Sequence, residues 1–77
     1  MKNAVLLIGF LKKIDNDFIV LDVENLGLIK VFVDNNESIN KLILNSYTRV
    51  EGELAYKSFP FPIVVAKQIY QAKIEIN

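Results

Sequence analysis

The side chains that could do chemistry in this sequence are carboxylates, lysines and phenylalanines, because the chain contains no histidine and no cysteine. The commonest general base and metal ligand is therefore absent, and so are disulfides and thiolate metal sites. Asp15 with Asp17, and Glu51 with Glu53, are carboxylate pairs at i and i+2, which share a face of a strand. No nucleophile, glycine-rich phosphate loop or metal-ligand spacing accompanies either pair. The sequence predicts a binding protein and not an enzyme, with no cofactor and no metal.

Two phenylalanines lie on alternating segments that follow one another in the chain. Phe18 begins one segment, and Phe32 shares a face of the next with Lys30. An aromatic ring stacks on a nucleic-acid base for about 1–3 kcal/mol, and a lysine can contact the neighbouring phosphate. These three residues are therefore candidate nucleic-acid ligands. The competing interpretation places the two rings in the core or in a dimer interface.

A second aromatic pair lies in a predicted loop. Phe59 and Phe61 alternate with Pro60 and Pro62, and two prolines at alternate positions prevent ladder pairing. Large aromatics on a loop are typical of contact residues, so the loop is a candidate stacking clamp or peptide contact. The alternative is a hydrophobic lid over the mouth of the fold.

Four further cations complete the candidate nucleic-acid-binding set: Lys12, Lys13, Arg49 and Lys57. The simpler interpretation of each one taken singly is a solvated lysine or arginine interleaved with acids. Lys+Arg and Asp+Glu both number 9, so the net charge is zero, which argues against a strongly basic, salt-driven binder. Neutrality predicts modest affinity and a shallow salt dependence, with about two to four phosphates neutralised.

The elements that must position these residues are predicted to be five strands and one short helix. Strands are predicted at 4–14, 18–24, 28–34, 47–57 and 63–70, and the helix at 38–45. The order β-β-β-α-β-β is typical of the oligonucleotide-binding (OB) fold. The 77 residues, 52% hydrophobic, suffice for one domain spanning 1–77. The sequence thus predicts an all-β, five-stranded OB barrel with one short helix between strands 3 and 4.

Periodicity predicts which side chains face the core. Ile19, Leu21 and Val23 alternate along the second strand, and Ile29, Val31 and Val33 along the third. In the fourth strand Val50, Gly52, Leu54 and Tyr56 share a face, and Ile39, Leu42 and Ile43 recur at helical spacing. Gly9 and Gly52 are expected at bends, and Gly27 at a hairpin turn that needs a positive φ.

Three segments of the chain resemble those of bacterial single-stranded DNA-binding proteins. Asn3–Leu11 is similar to the first strand of that family, which reads Asn-x-Val-x-Leu-Ile-Gly-x-Leu. Tyr47–Leu54 resembles its fourth strand, with the core Val-Glu-Gly-x-Leu, and Ile63–Ala66 its last. The resemblance covers the barrel in the right order and is to a pared-down member or a PriB-like relative. The departures are the lack of tryptophan, short hairpin loops and no acidic tail ending in Pro-Phe.

The resemblance implies a single-stranded DNA-binding protein without sequence preference that acts through aromatic stacking. It also implies a homodimer or tetramer in which strand one is the dimer edge, in keeping with the small size of the chain. We expect a cytoplasmic protein, since the apolar run 4–11 is too short to span a membrane. The main alternative is an OB-fold interaction subunit of a replication, recombination or conjugation complex, with a replication protein as partner. RNA is a third ligand that the sequence does not separate from DNA.

Overall fold

A computed structural model describes residues 4–34, 39–55 and 63–71. The strands are β1 (Ala4–Ile14), β2 (Phe18–Val23), β3 (Gly27–Val33), β4 (Tyr47–Ala55) and β5 (Ile63–Gln71). They close into a barrel in the spatial order β1-β2-β3-β5-β4, and β4 pairs back with β1. The pair β3–β5 is parallel and the other four are antiparallel. The predicted all-β five-stranded barrel is confirmed, and its strand order is that of an OB fold.

The barrel interior contains side chains that the alternation of β2, β3 and β4 assigned to it, together with side chains of β1 and β5. The buried apolar core comprises Leu7, Leu11, Ile19, Leu21, Val23, Val31, Val33, Ile39, Val50, Val64 and Ala66. Ile29 and Leu54, also expected inside, are half-buried and pack against this core. The core is therefore made almost entirely of β-branched and leucine side chains, which suit a pleated, curved wall.

β1 is long because it pairs with a different strand along each half of its length. Residues 4–10 pair with β4, and from Gly9 onward β1 pairs with β2. Gly9 lies where the two ladders meet, and a Cβ atom there would lie 2.3 Å from the backbone oxygen of Asp22. A side chain is excluded at this position because β2 approaches too closely. The predicted bend is thus a point of close backbone approach.

The hairpin between β2 and β3 turns through Asn25 and Gly27, both of which have positive φ. Gly27 has φ 82° with no heavy atom within 4 Å of the Cβ position, so the requirement there is conformational and not steric. The turn fixes the register of the hairpin, in which Val23 pairs with Gly27 and Phe18 with Phe32.

The helix predicted over 38–45 is not shown. Residues 39 and 40 have helical backbone, and the chain then turns. Ile39 is buried and Leu42 is half-buried against the core, as their spacing predicted, but Ile43 is 65% exposed. The side-chain amide of Gln71 donates to the Ile43 carbonyl and accepts from the Ile43 amide. These two bonds satisfy backbone groups that a longer helix would use.

The end of that segment joins β1. The amide of Asn45, whose φ is 62°, donates to the Leu11 carbonyl, and the Leu11 amide donates to the Ser46 carbonyl. The connection therefore extends the β1–β4 ladder where the sequence predicted the last turn of a helix. Ser38, the first residue of the predicted helix, lies outside the described residues, as do Tyr56 and Lys57, the predicted loop 58–62 and the residues from Ala72 onward.

Candidate nucleic-acid interface

Phe18 and Phe32 lie side by side on the outside of the β2–β3 hairpin. The two residues are register partners, and their ring centroids are 6.2 Å apart with an angle of 56° between the planes. Directly opposite residues of an antiparallel pair project to the same face, so the alternation that buries Ile19 and Val31 places both rings outside. Each ring is half-buried. In the structure neither ring is part of the core.

Lys30 lies between the two rings. Its Nζ is 4.1 Å from the centroid of Phe18 and 5.2 Å from that of Phe32. Lys30 pairs with Val20, one step along the outer face, so its side chain reaches diagonally across the hairpin. The ammonium group is attracted to the electron-rich ring faces, an interaction of about 0.5–1 kcal/mol at an exposed site. The pairing holds a cation next to a stacking surface.

A β-bulge in β1 adds a second cation to this cluster. The register with β2 shifts between Leu11 and Lys13, so Lys12 and Lys13 are both exposed although they are consecutive. Lys13 pairs with Val20, and its Nζ lies 5.7 Å from the centroid of Phe18. An extra residue in a strand re-aims the side chains that follow it. We call Phe18, Phe32, Lys13 and Lys30 the aromatic–lysine cluster.

Lys12 points outward beside a different ring. Its Nζ is 6.0 Å from the centroid of Phe10, which in turn contacts Tyr47 edge-on at 5.1 Å. Phe10 was not singled out from the sequence. The sequence signal for Phe10 is its position in the alternation of β1, because a residue next to buried Leu11 faces outward. The unbroken apolar run in β1 conceals that alternation.

Arg49 is not part of the aromatic–lysine cluster. It lies on β4, which is next to neither β2 nor β3 in the barrel. Its guanidinium donates to the Glu51 carboxylate at 2.5 Å and lies 5.1 Å from the ring centroid of Tyr70. Among the residues that the structure describes, this is the only ion pair. Lys57, Phe59 and Phe61 lie outside the described residues, so their predicted roles remain predictions.

Two acidic residues of the hairpin lie at the end away from the cluster, whereas the exposed Asp17 and Asp34 lie at the end that carries Phe18 and Phe32. Asp22 pairs with Leu28 near the turn and Glu24 lies in it, whereas Phe18 and Phe32 pair at the opposite end. Neither Lys13 nor Lys30 forms an ion pair with any described carboxylate. This end of the hairpin thus combines two rings with two lysines that form no ion pair with a described carboxylate.

A second exposed surface covers the outside of β1, β4 and β5. Five large side chains lie on it, and we call them the apolar face: Leu6, Ile8, Phe10, Tyr47 and Tyr70. The ladder pairs Phe10 with Tyr47, Ile8 with Arg49, and Arg49 with Tyr70, so the members are contiguous. Sequence reasoning missed this face because it did not divide the apolar run of β1 into inward and outward side chains.

Across 4–34, 39–55 and 63–71, no three histidine, cysteine, aspartate or glutamate side chains converge as a metal site. No helix in the same ranges is long and apolar enough to cross a membrane. The arrangement of the aromatic–lysine cluster can stack on planar groups and contact anions.

No protein-family model matches the chain, and no curated protein matches it significantly. Several solved structures, by contrast, do match this chain. A mitochondrial single-stranded DNA-binding protein from S. cerevisiae, Rim1, superposes with a TM-score of 0.79 at 15% identity, over 95% of this chain and 97% of that one. The hypothetical protein ygiW from E. coli gives 0.68 at 23% identity, over 92% of this chain and 76% of that one.

A third neighbour is a complex. The Stn1–Ten1 complex from S. pombe matches with a TM-score of 0.70 at 14% identity, over 92% of this chain and 59% of that one. At these identities the similarity speaks for the fold. This chain is a small OB-fold barrel similar in structure to a single-stranded DNA-binding protein, as its sequence resemblance predicted.

Proposed function

We propose that this protein binds single-stranded nucleic acid, with DNA favoured over RNA, on the outer face of β2 and β3. The observation that carries the proposal is Lys30, whose ammonium lies over two outward phenylalanine rings without a carboxylate partner among the described residues. OB folds bind their ligands on this face. Stacking tolerates any base, so binding without sequence preference follows from the chemistry.

Binding requires Lys30 to move. Its Nζ, 4.1 Å from the Phe18 centroid, occupies a ring face that a base would need. A stacked base is worth about 1–3 kcal/mol, against about 0.5–1 kcal/mol for an exposed cation–π contact. The exchange is therefore favourable, and it releases the ammonium to a phosphate of the same strand. In this mechanism Lys13, and Lys12 beside it in the bulge, contact the adjoining phosphates.

The test is a fluorescence-anisotropy titration of labelled oligo(dT) at two salt concentrations, with RNA and duplex DNA as parallel ligands. We expect micromolar binding to the single strands and a log–log salt slope of about −1.4 to −2.8, for two to four phosphates. Lack of binding at about 100 μM protein would overturn the proposal. Tighter binding to RNA than to DNA would keep the proposed site and make RNA its ligand.

A Phe59→Ala/Phe61→Ala variant extends the same titration to the loop predicted to act as a clamp. If those rings stack on bases, the variant binds oligo(dT) at least several-fold more weakly. An unchanged affinity would confine binding to the barrel face.

The second candidate is an OB-fold interaction subunit of a replication, recombination or conjugation complex. The apolar face favours it, since exposed patches of this kind are typical of protein interfaces. The likeness to a chain of the Stn1–Ten1 complex gives an example of the fold in an assembly. A protein that associates with a replication protein but leaves oligo(dT) unbound would support this candidate over the first.

Further parts of the proposal follow from the same reasoning. We propose a non-catalytic, cytoplasmic protein without a cofactor that acts as a homodimer or tetramer. A barrel of 77 residues buries only about 60% of its unfolded surface, so it gains from burial between subunits. Sedimentation of the free protein tests the oligomeric state directly.

A further inference from the structure

Three side chains form a row across the outside of β1, β2 and β3. Val20 is the register partner of Lys30 on one side and of Lys13 on the other. Neighbouring strands lie about 4.8 Å apart, so the Cα atoms of the two lysines are about 10 Å apart, with the half-buried Val20 between them. We call these three residues the lysine row. It runs across the strands and not along them.

On one side of the lysine row lie the two rings, and beyond the rings lie carboxylates. Phe18 and Phe32 are each two residues from the row, along β2 and β3. The exposed Asp34 is two residues beyond Phe32, or about 7 Å, and the exposed Asp17 precedes Phe18. The Val33 amide donates to the Asp17 carbonyl, so Asp17 and Asp34 lie at the same end of the hairpin.

On the other side of the lysine row a carboxylate follows directly. Asp22 is exposed and lies two residues from Val20, with Leu28 and Phe10 as its register partners on β3 and β1. Glu24 lies beyond it, and both carboxylates line a cleft of about 280 Å³ beside Phe10. Neither forms an ion pair with a described cation. The lysine row therefore has negative charge on both of its sides.

The separations between these charges decide where a phosphate can lie. A phosphate displaced from the row towards the turn, or over the rings, would come within about 7 Å of Asp22 or Asp34. That separation is below the Debye length of about 8–10 Å at moderate salt, so the repulsion would be felt. Lys30 itself lies about 13 Å from Asp34 along β3, and its ammonium leans over Phe18, away from Asp22.

We propose that Asp22 and Asp34 confine the phosphates of a bound strand to the lysine row. The backbone of the strand then crosses β3, β2 and β1, and its bases lie towards the two phenylalanine rings. This inference rests on the proposed function and specifies how the strand lies in that site. A backbone that ran along the hairpin would pass one carboxylate or both. The two carboxylates thus select the path of the ligand by exclusion.

Two lysine substitutions of equal charge test this path. Val20→Lys places a third cation within the lysine row, whereas Leu28→Lys places one beside Asp22, at a residue that is 69% exposed. The ligand is oligo(dT) of about eight nucleotides, within the site size of one OB fold. We expect Val20→Lys to bind it about three- to tenfold more tightly, with a log–log salt slope steeper by about 0.7. Leu28→Lys should change the affinity by less than about twofold, and circular-dichroism melts establish that both variants are folded.

Removing a carboxylate should open the path that it blocks. In an Asp22→Asn background, Leu28→Lys should strengthen binding about three- to tenfold, because the register partner of the new lysine no longer repels a phosphate. Asp34→Asn alone should strengthen binding by about two- to threefold at low salt, and the gain should disappear at high salt. Glu53→Gln is the matched control, since Glu53 pairs with Ala4, at the end of β1 away from Lys13. It should leave the affinity unchanged.

The possible results separate this inference from the proposed function. Equal gains from Val20→Lys and Leu28→Lys would show that only net charge matters, and a gain from Leu28→Lys alone would place the backbone along the hairpin. Either result overturns the inference while oligo(dT) binding itself upholds the proposed function. Equal effects of Asp34→Asn and Glu53→Gln would also overturn it. A wild type that binds no single strand would overturn both.

Discussion

Lys30 illustrates how one residue can link packing and recognition. Its ammonium stabilises two rings in the free protein and, in the proposed mechanism, neutralises a phosphate once a base has replaced it over Phe18. A cation in this position has no effect on the interior, because its side chain lies outside the barrel wall. Its contribution should therefore appear in binding and in salt dependence, and hardly in folding.

Replacing Lys30 by glutamine should weaken oligo(dT) binding by about three- to tenfold at low salt. One phosphate contact fewer should make the log–log salt slope shallower by about 0.7. Lys30→Arg should retain the slope, since a guanidinium also binds phosphate. Anisotropy titrations at several salt concentrations measure both quantities.

Lys41→Gln is the matched control, because Lys41 is an exposed lysine in the connection between β3 and β4 and not on a strand that carries the cluster or adjoins it. Equal effects of the two glutamine variants would mean that only net charge matters. That result would contradict a specific role for Lys30.

At the scale of elements, β1 decides how the barrel closes and how its outer surface is divided. Its first part pairs with β4 and its second with β2, and the bulge after Leu11 turns two consecutive lysines outward. Gly9 allows the two ladders to meet, since any Cβ atom there would overlap the backbone of β2. β1 therefore depends on Gly9 for its close approach to β2, and on the bulge for the outward direction of its two consecutive lysines.

Gly9→Ala should destabilise the protein by about 1–3 kcal/mol, the usual cost of forcing extra atoms into a closely packed position. The reason is the distance of 2.3 Å between the new Cβ and the Asp22 oxygen, which requires β1 and β2 to separate. Urea unfolding followed by circular dichroism measures the change in the free energy of unfolding.

Gly27→Asn serves as the comparison, because this position has a positive φ but open space around it. Asparagine tolerates such a backbone, so a loss below about 1 kcal/mol is expected. Similar losses at the two glycines would show that steric contact at Gly9 is not the cause.

At the scale of the whole molecule, two outer surfaces differ in chemistry. The aromatic–lysine cluster on β1, β2 and β3 combines rings with lysines that form no ion pair among the described residues, whereas the apolar face on β1, β4 and β5 contains the Arg49–Glu51 pair. In our proposals the first binds nucleic acid, and the second is a surface for a protein partner.

Association on the apolar face should make thermal stability depend on protein concentration, because a partner that binds only the folded state stabilises it by mass action. Between about 5 and 200 μM we expect the wild-type Tm to rise by about 4–8 °C, the effect of roughly 1 kcal/mol in a domain of this size. Ile8→Lys should show a constant Tm. Melting followed by circular dichroism or calorimetry makes the measurement, and a wild-type Tm independent of concentration would contradict it.

Much of the fold could be predicted from local pattern. The bounds of β1 match those predicted, β2 ends one residue earlier, β3 is shifted by one residue at both ends, and the alternation of Ile19, Leu21 and Val23 identified the inner face. The predicted helix does not continue over 41–45, because backbone groups there find partners elsewhere, in Leu11 and in the side chain of Gln71. Those contacts join residues far apart in the chain, so no local window contains them.

The sequence by itself determined the β class and the positions of the five strands along the chain. It also singled out Phe18, Lys30 and Phe32 as candidate ligands, because alternation and turn residues act over a few positions. Only the tertiary structure decided that Arg49 lies apart from them, paired with Glu51, and that Lys13 joins them through a bulge. It also revealed the apolar face, whose members come from three strands. Closure of a barrel sets which outward residues become neighbours, and that depends on the register between strands far apart in sequence.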